Sequence, residues 1–468
     1  MADLRTSKMT YWLDKKLIWG NRKGVILILS MIFIAVFSVL TVAIFAISST
    51  GLQMADSQHK ANAAFADAES GLEVIKYWLT PLRVPKPTTG TSDFLTNFIS
   101  SLNNEWTNNS VSSLVIDSTG SIPPVLLDAT ANHSFSAEME MNPTDPYLFL
   151  LAVSGKYGQF KQTIQVDFRI KQYIFPIFDY GLATKGPILL DGNPTMIGAN
   201  DNNEADVYIE SLSDPLALHV TGNTSFDGDI SVGNATGNVS FDGDVLIAGD
   251  HNQTAIDNHV TIGADPVEFP VPDTEYFRQY ATGPVIDSST DTTKGMTLSN
   301  ALVKAGTDPN FTQSVTINGI LFIEAPNHVI FDRNVALQGI IVGNGDVNNV
   351  NSSILVNGNF ASSTYPADSL YDAIRSETGS SLLAPGFSVE MAGNFASLGG
   401  VMAVSGFTLS GNANALVRGS IINYSQDPTV ILGNASLTYD LSGQPDVPAG
   451  FDNYRILEYT PSSWSMIH

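Results

Sequence analysis

The run RKGVILILSMIFIAVFSVLTVAIFAISSTG at residues 22–51 constrains this chain more than any other feature. No charged residue lies between Lys23 and Asp56, and residues 25–47 are nearly continuously apolar. As an α-helix that run spans roughly 35 Å, enough for the hydrocarbon core of a bilayer. A cleaved secretion signal has a shorter apolar region with a small-residue cleavage site behind it. Here the chain continues as QMADSQHKANAAFADAESGLEVIKYWL, with no proline until Pro81. Ala61, Phe65, Ala68, Leu72, Ile75 and Leu79 fall at intervals of four and three, which is one apolar stripe on a helix. We therefore expect a single helix of about fifty residues, half in a membrane and half amphipathic outside it, with Gly51 as its weakest point.

Charge is divided by the apolar run. Arg5, Lys8, Lys15, Lys16, Arg22 and Lys23 precede Gly24, opposed only by Asp3 and Asp14. From residue 25 onward there are 16 basic residues against 44 acidic ones. By the positive-inside rule the N-terminus stays cytoplasmic and the acidic body is exported, giving a single-pass inner-membrane protein. So few cations exclude nucleic acid as a partner. The absence of cysteine excludes disulfides, thiol catalysis and thiolate metal sites. A chain of 468 residues implies more than one structural unit.

The pair RKGVILILS and AFADAESGL, some forty residues apart, resembles the N-terminal region of the PilX-type, minor pilin-like proteins of type IV pilus assembly. Arg22, Lys23, Gly24, Phe65, Ala66, Ala68, Glu69, Gly71 and Leu72 carry the resemblance, which covers about residues 20–80. It implies a processing site between Gly24 and Val25 and an antiparallel sheet packed on the exported half of the helix. Major pilins have an aromatic residue just after the processed glycine and a glutamate at the fifth mature position. Val25 and Leu29 stand there in this sequence, so the resemblance implies a minor, accessory or permanently anchored subunit rather than a major one.

Beyond the helix, RVPKPTTGTSD at 83–93 reads as a linker. Residues 94–130 read as irregular, with one short helix near Phe94 to Leu102. HSFSAEMEM, YLFLLAVSGKYG and FKQTIQVDFRIKQY alternate apolar and polar positions between turn signals, the pattern of an antiparallel meander.

After residue 180 the chain changes character. TGNTSFDGDISVGNA (221–235) is followed directly by TGNVSFDGDVLIAGD (236–250), and short β-branched runs ending in Gly/Asn turns continue to the end. Tandem units of this kind suit a right- or left-handed parallel β-helix, a β-solenoid, whose corners are turned by Gly and Asn; the alternative is an antiparallel sandwich. On that reading Phe226 stacks on Phe241 in adjacent coils. Residues 266–280 and 365–379 are excursions from it. The expected fold is α+β followed by all-β. Its divisions are a basic leader at 1–24, the helix at 25–80, a pilin-like sheet with its linker at 81–175, and the solenoid at 176–468.

The repeats raise one metal hypothesis. Asp227 and Asp229 would stack about 4.8 Å from Asp242 and Asp244, where a calcium ion would relieve their repulsion. Solvated Asp-Gly turns explain the same residues, and the Gly-Gly-x-Gly-x-Asp calcium motif is absent. Catalysis has thin material: Asp332 beside Arg333, with Glu390 and Arg418 elsewhere, and seven histidines without metal-ligand spacing. The expected function is therefore non-enzymatic and cofactor-free. It is an accessory subunit of a type IV pilus or related secretion machine, displaying its β-rich region for adhesion, tip-capping or docking. Its partners would be the membrane, other pilus-assembly subunits and a surface glycan or cell-surface ligand. The competing readings are a membrane-anchored β-helix carbohydrate-active enzyme and a surface protein unrelated to pili.

Overall fold

The computed structural model describes residues 22–85, 90–128, 132–410 and 413–467. The leader before Arg22 and the 86–89 part of the linker lie outside the described residues. The chain divides into two compact units. One holds the described residues from Arg22 to Lys171 together with those from Arg455 to Ile467, and the other is Gln172–Tyr454.

The first unit is built on α1 (Arg22–Leu79), 58 residues that continue through Gly51 as helix. An interior glycine costs about 1 kcal/mol relative to alanine, too little to end a helix of this length. A second helix, α2 (Gly90–Asn108), is about twice as long as expected, because Phe94, Phe98, Leu102 and Trp106 extend one buried face over four turns. The sheet has six strands in the order Val84–Pro85, Tyr454–Ile467, Phe160–Gln172, Leu148–Tyr157, His133–Met141, Ser121–Asp128. The three predicted strands pair antiparallel in full register, with Phe135 opposite Gly155 and Val153 opposite Ile164. Their inward residues Phe135, Ala137, Phe149, Leu151, Val153, Ile164, Val166 and Phe168 form one core with Ala68, Leu72, Ile75 and Leu79 of α1. Gly155 is where strand and helix come closest. A Cβ there would lie 2.0 Å from the carbonyl oxygen of Ala64 and 2.2 Å from the amide nitrogen of Ala68, so only glycine allows the approach.

The last strand corrects the expected division. Tyr454–Ile467, assigned from sequence to the repeat region, lies in this first sheet between Val84–Pro85 and Phe160–Gln172. Leu457 is buried in the first core, Tyr459 packs on Phe168 at 5.6 Å, and Glu458 pairs with Lys171 at 2.6 Å.

The second unit is β-rich, and its ladders are parallel apart from Val245–Ile247 with Asp250–His251. Successive stretches contribute one strand to a nine-stranded sheet and then two to a nineteen-stranded sheet, as in Phe387–Met391, Phe395–Leu398 and Val401–Val404. Their inward Val, Ile, Leu and Phe side chains make one continuous core.

Chain order and spatial order differ. Ile188–Gly192 lies between Leu216–Gly222 and Thr429–Gly433, with Ile188 opposite both Leu218 and Thr429. The last turn thus docks on the first. The chain runs outward from there to Val260–Ile262 and restarts at Val285–Ile286, beside Met296–Val303. The returning segment 263–284 covers a second apolar layer that includes Ile320, Phe322, Ile340, Val342, Leu383 and Ile422. The Val267 N–H donates to the Tyr208 hydroxyl at 3.2 Å, the Tyr424 hydroxyl donates to the Pro270 carbonyl at 2.5 Å, and Asp273 N–H donates to the Gly450 carbonyl at 2.7 Å. Strands under this cover are buried on both faces, which explains why Ile320 to Ile323 read as a continuous apolar run rather than an alternation.

Candidate functional site: the apolar half-helix and the acidic turns

Two regions carry chemistry that a partner or a membrane could use. The first is the N-terminal half of α1. Its large apolar side chains from Val25 to Ile47 are between 49% and 75% exposed, and the helix is long and apolar enough to cross a membrane. Ser38 and Thr41 turn their hydroxyls back onto the carbonyls of Ile34 and Phe37, both at 2.7 Å, so their polarity is satisfied inside the helix. This is what a bilayer demands of a spanning segment, and the helix is compatible with a single-pass membrane anchor. Gly24 and Val25, the candidate processing pair, lie exposed in its first turns.

Ala68, Leu72, Ile75 and Leu79 are buried, Ala61 and Phe65 half-buried, and Phe65 meets Trp464 edge-on at 6.2 Å. Between them sits a residue the stripe did not reveal. Asp67 is 6% exposed, and both its oxygens lie 2.8 Å from Nδ1 of His133 on the sheet. His133 stacks on Tyr157 at 4.4 Å. Its only sequence signal is a carboxylate directly before the stripe position Ala68.

The second region is the set of acidic turns at 207–262. The expected stacking does not occur there. Phe226 is opposite Ile247 and Met196, whereas Phe241 is opposite Val220 in the other sheet. The offset is 21 residues from Phe226 to Ile247 and from Val220 to Phe241, and 30 from Met196 to Phe226, so a fifteen-residue sequence repeat is out of step with the ladder. What repeats is the corner Phe-Asp-Gly-Asp, used once after Thr224–Phe226 and once after Asn238–Phe241. The glycine of each corner lies against the backbone of the neighbouring turn: a Cβ on Gly243 would be 1.8 Å from the Gly222 carbonyl oxygen.

Asp227, Asp229, Asp242 and Asp244 are consequently not brought together as a calcium site. Among the described residues no group of three or more His, Asp or Glu has metal-holding geometry. Three of the four carboxylates meet histidines instead. Asp242 meets His219 Nε2 at 2.9 Å, Asp244 meets His251 Nδ1 at 3.0 Å, and Asp229 meets His259 Nδ1 at 2.8 Å, with Asp250 at 3.4 Å from His259 Nε2. Asp227 contributes its N–H to the Met196 carbonyl. The histidines that look scattered in sequence are thus organised by the repeats. Among the described residues no hydrogen bond or ion pair joins any two of Asp332, Arg333, Glu390 and Arg418: Asp332 accepts from Asn357, and Arg418 lies 3.9 Å from Asp440.

Two carboxylates on the first turn are displaced from the ordinary range in opposite directions. Burial raises Glu204, but hydrogen bonds from Asn200, Asp201 and the Leu441 N–H outweigh it and hold the group low. Asp206 is pushed up to about 6, by burial first, against the Asp229 N–H bond at 2.8 Å, and further by the charges of Asp229 and Asp201. A raised folded-state pKa contributes stability that is complete below pH ~4 and is lost as pH rises through about 6. Asp206→Asn keeps the acceptor and removes the titration. Melting from pH 4 to 7 should therefore show the wild type losing about 2 kcal/mol relative to the variant, allowing for partial exposure. Parallel curves would show that this carboxyl is not displaced.

No family model matches the chain, and no curated protein matches it. Among solved structures, the crystal structure of the competence-associated pilin ComZ from Thermus thermophilus is similar. The identity is 15% and the TM-score 0.26, covering 87% of this chain and 97% of that one. An overlap that loose carries no argument for fold or function.

Proposed function

We propose that this protein is a membrane-anchored accessory subunit of a type IV pilus-like machine, with a β-solenoid displayed on the exported side. The observation that carries the reading is α1. One uninterrupted helix leaves its first half apolar and exposed and buries one face of its second half under an antiparallel sheet. A membrane stop needs only the first half. A helix continuing rigidly into the core of a folded unit couples that unit to whatever the apolar half joins. The PilX-type residues Gly24, Phe65, Ala68, Gly71 and Leu72 lie on this helix, and the basic residues before Gly24 favour a cytoplasmic N-terminus. The parallel ladders of the second unit, with three strands to each turn, support the solenoid reading.

The native N-terminus tests this. Mass spectrometry of the protein in sheared filaments should find a chain beginning at Val25, and Gly24→Val should leave it 24 residues longer. A chain that retains Lys15 and Lys16 and never leaves the membrane would make the helix a permanent anchor and remove the filament from the reading.

A further inference from the structure

The end of the second unit formed by residues 238–262 is finished unevenly. On two sides the helix Asn252–His259 packs against Val245–Ile247 and Val260–Ile262. On the third side Asn238–Phe241 is the outermost strand of its sheet and, among the described residues, pairs only with Leu216–Gly222. Asn238 N–H donates to the Pro215 carbonyl and Asp242 N–H to the Val220 carbonyl. In a parallel ladder alternate residues face alternate sides, so the N–H and C=O of Val239 and Phe241 point away from the unit. Their side chains are half-buried against the core, which holds the strand extended. It is an open edge with two donors and two acceptors on offer.

The surroundings select what can fill it. Between Lys185 and Arg278 the sequence contains no Lys or Arg and 16 Asp or Glu. Asp242 and Asp244 adjoin the edge with side chains 62% and 61% exposed. A second copy is a poor occupant. From Gln172 to Tyr454 the chain has seven Lys/Arg against 31 Asp/Glu, so like edges repel, and the opposite end of the nine-stranded sheet offers only Asn310–Phe311. We propose that the edge Asn238–Phe241 is a docking site for an extended, lysine- or arginine-bearing segment of a partner protein, which adds to the sheet as a further strand. Backbone hydrogen bonds would supply the alignment, and Asp242 and Asp244 the choice of a basic segment. This deepens the display reading and rests on it for the edge being presented to partners; the N-terminal mass measurement stands or falls separately.

The test uses the full-length protein in detergent and a labelled ten-residue peptide alternating Lys with Val and Thr, followed by fluorescence anisotropy. Saturable binding is expected, weakening at least tenfold between 50 and 300 mM salt and absent when Glu replaces Lys. Methylating alternate backbone nitrogens of the peptide keeps its charge and should weaken binding at least tenfold. Val239→Pro removes an outward N–H that no internal bond uses and should do the same with melting unchanged. Should that variant not fold, the doubly reversed Asp242→Lys, Asp244→Lys protein should lose the Lys peptide and gain the Glu peptide. Binding indifferent to N-methylation and to Val239→Pro would be diffuse charge attraction and overturns the proposal. So would self-association that Val239→Pro abolishes and that blocks the peptide, since the edge would then belong to a second copy.

Discussion

Deleting residues 25–47 should release the protein from carbonate-washed membranes into the soluble fraction with its β-rich circular dichroism intact. Of these 23 residues, 16 are Val, Ile, Leu or Phe. At roughly 0.3–0.6 kcal/mol each for insertion near a helix centre, they contribute about 5–10 kcal/mol of membrane affinity. That is several orders of magnitude in partition, and no other described helix is long and apolar enough to substitute. The remaining half of α1 should stay folded because its stability comes from packing under the sheet, where Ala64, Ala68, Ile75 and Leu79 are fully buried. Continued pelleting with washed membranes would mean that another surface binds the bilayer, and the anchor assignment would be wrong.

The apolar helix, its stripe and the three central strands were legible because their signals are local. A run of 23 apolar residues has few folded outcomes, and alternation over nine or ten residues has one. Phe135, Ala137 and Met139 could be read as inward from HSFSAEMEM alone. What could not be read was pairing at long range. YRILEYTPSSWSMI carries Pro461 and no clean alternation, and its neighbour Phe160–Gln172 lies almost 300 residues upstream. The tandem repeat misled for a related reason. Similar residues at Phe226 and Phe241 encode the same corner, but a corner is one part of a turn. Two copies in succession therefore occupy different sides of the unit rather than the same side of successive turns. The histidines paired with Asp229, Asp242 and Asp244 depend on that geometry and left no spacing to find. Nor does composition reveal that the last turn closes on the first, since Thr429–Gly433 and Leu216–Gly222 are equally plausible neighbours for Ile188–Gly192 and the fold uses both.

Ending the chain after Tyr454 should unfold the first unit and leave the second intact. In the six-stranded sheet the lost strand is flanked on both sides, so Phe160–Gln172 would become a bare edge. The truncation removes Leu457, 4% exposed, at a cost of about 2–3 kcal/mol. It also removes the Tyr459 and Trp464 contacts with Phe168 and Phe65, and the Ser463 hydroxyl that accepts the Asp167 N–H at 2.8 Å. Together with the uncovered faces of Val166 and Phe168, the loss reaches the range of a small unit's whole stability, about 5–15 kcal/mol. The second unit is expected to survive because it closes on itself. Tyr173 N–H donates to the Tyr454 carbonyl at 2.9 Å, and Thr429–Gly433 pairs with Ile188–Gly192, all inside Gln172–Tyr454. Hydrogen exchange on the truncated protein should show protection lost over residues 133–171 and kept over 182–439. A fragment spanning 172–454 should be resistant to proteolysis by itself, whereas one spanning 180–468 should carry a frayed C-terminal tail. Retained protection over 133–171 in the truncated chain would show that the last strand decorates the first sheet instead of completing it.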